Sequence, residues 1–297
     1  MAITHEFKYF RPTNLAEIIE LLHKYGDKAK LLAGGTDLTV NIKENIEQPE
    51  AVIDIKAVPE LSILDNGKDG LFIGANVTFT DLLEAKAIQK DYLLLWEAAR
   101  SVASVGIRNR ATLIGNICSA VPSLDSAPAL LCYDAVVHLQ NYKGKREVPI
   151  SEWFLGPRKT ARKADELVLG VSLLKPRGKH TGCYLKLGRY NGEDLAQAGL
   201  ALLASASDDY KAAWCAVGPV PKRSSKIEDL LHGKSITPEL IRKAKALVAD
   251  EISPITDLRA SREYRLHLCE IMLERGLQVC QMRLQGKKID TRNILGG

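Results

Sequence analysis

No two cysteines in this chain stand at C-x-x-C spacing, although six occur among its 297 residues. Cys118, Cys132, Cys183, Cys215, Cys269 and Cys280 are too scattered to cradle an iron–sulfur cluster or to build a disulfide framework, so buried thiols are the expectation. The six histidines form no H-x-x-x-H pair, and no metal site is expected. A G-x-x-x-x-G-K-[ST] loop is absent, which removes the case for ATP or GTP hydrolysis, and no G-x-S-x-G elbow points to acyl transfer. Long apolar runs are missing too. The opening MAITHEFKYFRP lacks the apolar core of a signal peptide and no stretch approaches a membrane span, so the expectation is a cytoplasmic protein with no membrane contact. Net charge is only +5, and the basic concentrations at Lys143–Arg146, Arg158–Lys163 and Arg283–Lys288 lack interleaved aromatics. They read as solvated faces, and nucleic acid is not an expected partner.

What is present is an ordinary globular composition, 46% hydrophobic and 26% charged, on a chain long enough for two cored domains. Two glycine-bearing turns stand out: LLAGGTDL at Leu31–Leu38 and ATLIGNICSAVPSLDSAP at Ala111–Pro128. In each, a strand-forming run meets small residues and then a segment of helical potential. Gly34, Gly35 and Gly115 have no Cβ, which lets an oxyanion approach the backbone. Thr36, Thr112 and Asn116 add side-chain donors, and the Asp125 carboxylate suits a sugar hydroxyl. Two such turns point to a diphosphate held from both sides, as a dinucleotide requires. Neither matches the G-x-G-x-x-G of a Rossmann domain. Each residue also has a plainer reading: Gly34-Gly35 as a strand-to-helix turn with Thr36 as N-cap, and Asp125 as a turn or helix cap.

Along the chain, Thr13 or Asn14 caps a first helix with Leu15, Ile18, Ile19 and Leu22 on its buried stripe, and Gly26 stops it. AKLLAGG, AVIDI, LFIGA, AVVHL and ELVLGVSLL read as strands, while Thr80-Asp81 opens a short helix and Tyr92–Val105 has helical spacing. KPRGKHTG at Lys175–Gly182 is basic and breaker-rich and marks a domain boundary. Beyond it, LAQAGLALLASAS and YKAAWCAVGPVP read as strands, although the alanines of the first equally favour a helix. Pro238–Asp250 and Ser261–Leu284 read as helices.

From FKYFRP (Phe7–Pro12) through AGGTDL, AVIDIKAVPEL, FIGANVTFTDL and IRNRATLIGNI to ASREYRLHL (Ala260–Leu268), the chain resembles the FAD-binding subunits of the molybdenum hydroxylases. This is the family of xanthine, carbon monoxide and nicotinate dehydrogenases, and the likeness is strongest to the separate FAD subunits of bacterial xanthine dehydrogenases. It implies an α+β fold. A two-lobed, PCMH-type FAD-binding domain would span 1–175, with lobes at about 1–60 and 61–175, and a small α+β domain like that of carbon monoxide dehydrogenase flavoprotein would span 176–297. Carried over by motif, Leu31, Leu32, Ala33, Gly34, Gly35, Thr36, Asp37, Leu38, Thr112, Gly115, Asn116 and Asp125 would contact FAD. Lys186, in YLKLGRY eight residues before Asp194, would lie against the isoalloxazine; on sequence alone it is equally a solvent-facing strand lysine. No histidine stands in an attachment context, so the FAD is expected to be noncovalent. Molybdopterin and 2Fe–2S clusters are expected only in partner subunits, large and small, with NAD or another acceptor taking the electrons; some relatives carry an extra cluster here, but no cysteine-rich insertion is visible.

Two departures matter. Ile114 stands where the family usually has a glycine, and a branched residue resists φ > 0 and close approach, so that either the turn is tightened differently or Gly115 alone meets the pyrophosphate. Arg189-Tyr190 replaces two arginines common in relatives. Two rivals therefore stand beside the electron-transfer subunit: an autonomous flavoenzyme such as the reductase that makes UDP-N-acetylmuramate, and a flavin-free scaffold, which only Ile114 favours.

Overall fold

Asn14 accepts a hydrogen bond from the amide of Glu17 (3.0 Å) and so starts the first helix, and Gly26, at φ +54°, ends it. The computed structural model describes residues 3–190 and 194–295. In chain order the first lobe holds β1 (Lys8–Phe10), α1 (Leu15–Tyr25), β2 (Ala29–Leu32), α2 (Leu38–Lys43) and β3 (Ala51–Asp54). Its three strands form a parallel sheet in the order β1-β3-β2. Central β3 is buried throughout, as a strand flanked on both edges and covered on its faces must be.

The second lobe begins with β4 (Leu64–Asn66) and β5 (Gly70–Gly74), then runs through six short helices: α3 (Phe79–Glu84), α4 (Lys86–Asp91), α5 (Leu93–Arg100), α6 (Val105–Arg108), α7 (Leu113–Ser119) and α8 (Ser126–Cys132). It returns through β6 (Val136–Asn141), β7 (Gly144–Pro149), the small hairpin β8 (Phe154–Gly156) and β9 (Lys159–Thr160), and β10 (Leu167–Leu174). The resulting antiparallel sheet has the order β4-β5-β10-β6-β7. A capping box of Thr78 and Asp81 starts α3, one residue earlier than the sequence reading had it.

After the Lys175–Lys179 connection come β11 (His180–Leu187), β12 (Ala198–Ser205), β13 (Tyr210–Cys215) and β14 (Lys222–Arg223), paired in that order in a four-stranded antiparallel sheet. Helices α9 (Ser225–Leu231), α10 (Pro238–Ala246), α11 (Val248–Glu251) and α12 (Arg262–Leu284) follow. The expected single helix over Pro238–Asp250 is two, broken at Leu247. LAQAGLALLASAS is a strand, and its composition has a physical reason. Tyr184, Ala201 and Ala213 join the core of the FAD-domain helices, while Cys183, Leu185, Leu200, Leu202 and Trp214 pack with α12. A sheet buried on both faces needs apolar residues at every position, which erases the period-2 signal. Five of the six cysteines are buried, Cys118 partly so, and all are free thiols.

Candidate functional site

The first turn leaves β2 at Leu32 and enters α2 at Leu38. Gly35 sits at φ +76°, a conformation that side-chain-bearing residues rarely adopt, and a Cβ there would meet Leu32 Cδ1 at 2.9 Å. Asp37, not Thr36, is the N-cap of α2, and its side chain accepts nothing from the first turn. The opening amides of α2 thus have no side-chain acceptor at the cap. Leu31 and Leu32 belong to β2 itself and are partly buried, so their part in the site is to fix the strand that launches the turn.

The second turn is anchored differently. Phe79 donates its amide to the Ala111 carbonyl (3.0 Å) and Leu113 to that of Val77 (3.3 Å), stitching the segment to the start of α3. Thr112 is the N-cap of α7, its Oγ1 accepting from the Gly115 amide at 2.9 Å. That bond takes up the one amide that the sequence reading reserved for an anion. Ile114, expected to obstruct the turn, is inside the first turn of α7 with ordinary helical backbone and a buried side chain. No positive φ is demanded of it, so the obstruction does not arise. Gly115 is exposed and Asn116 partly so, with Asn116 Oδ1 accepting from Ser126 Oγ at 2.6 Å.

The two turns touch backbone to backbone. A Cβ on Gly34 would lie 2.0 Å from the carbonyl oxygen of Arg110, and Arg110 Nε donates to the Gly34 carbonyl at 3.4 Å. Gly34 is therefore required by the approach of the second segment, independently of any ligand. Beneath the first turn, Lys56 Nζ pairs with buried Asp54 at 2.7 Å and reaches the Ala33 carbonyl at 3.4 Å, while Tyr9 Oη donates to the same aspartate at 2.5 Å. Burial pushes the Asp54 carboxyl up, but the bonds from Lys56 and Tyr9 outweigh it and leave it below the usual carboxylate range.

Asp125 and Lys186, far apart in sequence and given separate roles there, form one buried ion pair: Nζ to Oδ2 is 2.8 Å, with side chains 13% and 9% exposed. Lys186 also donates to the Ser101 carbonyl at 3.0 Å, and Tyr184 Oη donates to Asp125 Oδ1 at 2.8 Å. Although Asp125 stands at the N-cap position of α8, its side chain makes no capping bond, so the helix-cap alternative falls. The solvent-facing alternative for Lys186 falls as well. Burial raises the Asp125 carboxyl above its ordinary value against the opposing pull of Lys186 and Tyr184. Burial likewise raises the Tyr184 phenol, with the Asp125 charge adding to it. Tyr184, Ser101 and Arg110 were not singled out from sequence. Tyr184 was findable, because a residue two before Lys186 in a strand shares its face; the other two act through backbone contacts that no side-chain pattern announces.

The set fits an anionic dinucleotide. The partly buried Gly34-Gly35 backbone, the α2 opening free of a side-chain cap and the Asn116 side-chain amide offer donors across two abutting turns, and Gly115 leaves the second open to close approach. A buried lysine–aspartate–tyrosine cluster adjoins the second turn, since Ser126, next to Asp125, bonds Asn116.

Comparison with known proteins places the chain in a family. Residues 5–175 match the family model described as the FAD binding domain in molybdopterin dehydrogenase, and residues 183–279 the CO dehydrogenase flavoprotein C-terminal domain. The chain is 30% identical over 285 residues to the xanthine dehydrogenase FAD-binding subunit of Escherichia coli O157:H7, covering 94% of this chain and 97% of that one. It is 31% identical over 286 residues to the carbon monoxide dehydrogenase medium chain of Hydrogenophaga pseudoflava, covering 95% and 99%. A solved structure of carbon monoxide dehydrogenase from that organism superposes with a TM-score of 0.91 at 30% identity, covering 95% of this chain and 99% of that chain. Among the described residues no helix is long and apolar enough to cross a membrane.

Proposed function

Because the chain belongs to the molybdenum hydroxylase family as an FAD-binding medium subunit, we propose that it serves as the electron-transfer station between a 2Fe–2S partner and NAD or another acceptor. When bound, FAD would supply the redox chemistry that links a small 2Fe–2S subunit to that acceptor, with substrate oxidation belonging to a large molybdopterin subunit. The protein's own part is binding, orientation and charge. Gly34, Gly35, Thr36 and the opening of α2 hold one side of the diphosphate; on the other, the Asn116 side-chain amide and the Thr112 hydroxyl donate, and Gly115 lets the phosphate come close. Leu31, Leu32, Ala33, Asp37 and Leu38 shape the first of these turns. Lys186 sets the electrostatics of the ring end, where a fixed cation favours the reduced, more negative cofactor. Asp125 holds that cation in place and offers its remaining acceptor capacity to the nucleotide.

The observation that carries this reading is the meeting of both turns, Asp125 and Lys186 in one connected cluster although they are spread from residue 31 to residue 186. The test is direct. Purified protein should show flavin absorption, and acid denaturation should release intact FAD. Well-folded protein that takes up no added FAD would overturn the reading. Co-purification with two further subunits distinguishes the electron-transfer role from that of an autonomous flavin reductase, which would turn over alone.

A further inference from the structure

The edge strand β11 carries Lys186, and its free edge is held by the FAD domain rather than by another strand. Three residues on one face of α5 meet three alternate residues of β11. Leu94 packs so closely on Gly182 that a Cβ there would sit 2.7 Å from the Leu94 Cβ. One turn on, Glu97 Oε2 accepts from the Tyr184 amide at 3.0 Å. At the C-cap, the Ser101 carbonyl accepts from Lys186 Nζ at 3.0 Å. Positions 94, 97 and 101 lie along one side of a helix, rising about 10 Å, while 182, 184 and 186 span about 13 Å of strand, and the three contacts run in the same order along both. Glu97 is itself locked by Arg283 of α12: Nη2 to Oε1 is 2.6 Å, and both side chains are more than nine-tenths buried. The same guanidinium donates to the carbonyls of Gly182 and Ile289. An edge strand offers unpaired backbone groups, and here a buried carboxylate and guanidinium occupy them.

We infer that Glu97 is a positioning residue: with Arg283 it fixes the register of β11 on α5, and so the place of the Lys186 ammonium. The inference rests on the reading of Lys186 as the flavin-side cation, and the experiment separates the two. Glu97→Gln keeps an oxygen for the Tyr184 amide but gives up the ion pair; Arg283→Lys keeps a charge but loses the fork that grips Gly182 and Glu97 together. In each variant, amide exchange across His180–Leu187 should quicken by roughly tenfold, the loss expected for one charge-assisted hydrogen bond, while Tyr210–Cys215 stays protected. The flavin potential should fall in the same direction as in Lys186→Met, by a smaller amount. Unchanged exchange in β11, with only a lowered melting temperature, would make the pair a plain structural bridge and overturn the inference. So would a loosened β11 with an unmoved potential while Lys186→Met shifts it. Should Lys186→Met move nothing, the assignment of Lys186 fails by itself, and the exchange measurement still decides whether α5 sets the strand. If Glu97→Gln does not fold, Arg283→Lys carries the same readings.

Discussion

The two glycine turns look alike in sequence and are built in opposite ways. The first has a glycine at positive φ and an N-cap whose side chain bonds nothing in the helix it opens; its Thr39 amide is taken by the Gly35 carbonyl of the turn itself. The second caps itself: Thr112 takes the Gly115 amide, and the flanking amides of Leu113 and Asn116 are spent on the carbonyls of Val77 and Thr112. The first turn is closed by its own backbone, whereas the second is closed by the Thr112 side chain and pinned to Val77, and it offers surface, an amide side chain and a close-packed partner for the first. A small-residue turn before a helix is therefore not a unit of function; what matters is whether its donors are already used.

The sharpest way to break this contrast is Gly34→Ala. Its Cβ would fall 2.0 Å from the Arg110 backbone oxygen, so one backbone segment must shift. Pushing the turns apart should weaken FAD by roughly a hundredfold or more, ~3 kcal/mol, in a fluorescence titration. Unchanged affinity would show that the turns work independently.

Lys186→Met comes next. It strands the buried Asp125 carboxylate without its cation and should destabilise the fold by ~3 kcal/mol, read as a lower melting temperature. Adding Asp125→Asn should recover much of that loss. With FAD bound, its two-electron potential should fall by about 30 mV for each ~1.4 kcal/mol of preferential stabilisation lost. A methionine variant as stable as the parent, with an unaltered potential, would remove Lys186 from the site.

Gly115→Ala probes the second turn more gently. The added methyl meets only the Thr112 hydroxyl, at 2.9 Å. Losing that cap costs ~1 kcal/mol, and alanine returns a similar amount as a better helix former, so stability should barely change. If the diphosphate lies over this backbone, FAD affinity drops by roughly tenfold, ~1.4 kcal/mol. Equal affinity would leave the first turn as the sole anion holder.

The smallest effect is in the pH dependence of stability, where the two regions carry opposite signs. Asp54, beneath the first turn, has its carboxyl lowered in the fold despite burial, because Lys56 and Tyr9 bond its charged form. Its contribution is present above the unfolded carboxylate range and is lost as pH falls through the folded value. Asp125 is raised by burial. Its contribution is present at low pH and is lost as pH rises through the folded value. Urea denaturation as a function of pH should therefore lose its acid-side decline in Asp54→Asn, and in Asp125→Asn the decline that sets in as pH rises above the ordinary carboxylate range. Parallel profiles for the two variants would contradict the assignment.

Much of this was legible beforehand. Asn14, Gly26 and the Ile18, Ile19, Leu22 stripe announced α1 because a helix end has a fixed list of unsatisfied amides and a fixed period. The two turns announced themselves through glycine. Ile114 misled because a family glycine was taken to mean positive φ, whereas the residue sits in helical backbone where isoleucine is tolerated. The break at Leu247 and the joining of Asp125 to Lys186 were not legible: the first is a matter of local packing, and the second spans residues that only a folded chain brings within 2.8 Å.

Local chemistry, which depends on a few adjacent residues, was fixed by the order of amino acids alone: where helices start, where the backbone turns, and which turns carry small residues and donors. Tertiary structure decided which of those donors remain free, since that depends on whether Thr112 or a distant carbonyl reaches them first. It also decided that a strand lysine is a buried cation. Nothing in YLKLGRY distinguishes an exposed lysine from a buried one; the difference comes from α5 and α8, whose Ser101 carbonyl and Asp125 carboxylate meet Lys186 only after both domains have packed on a common sheet.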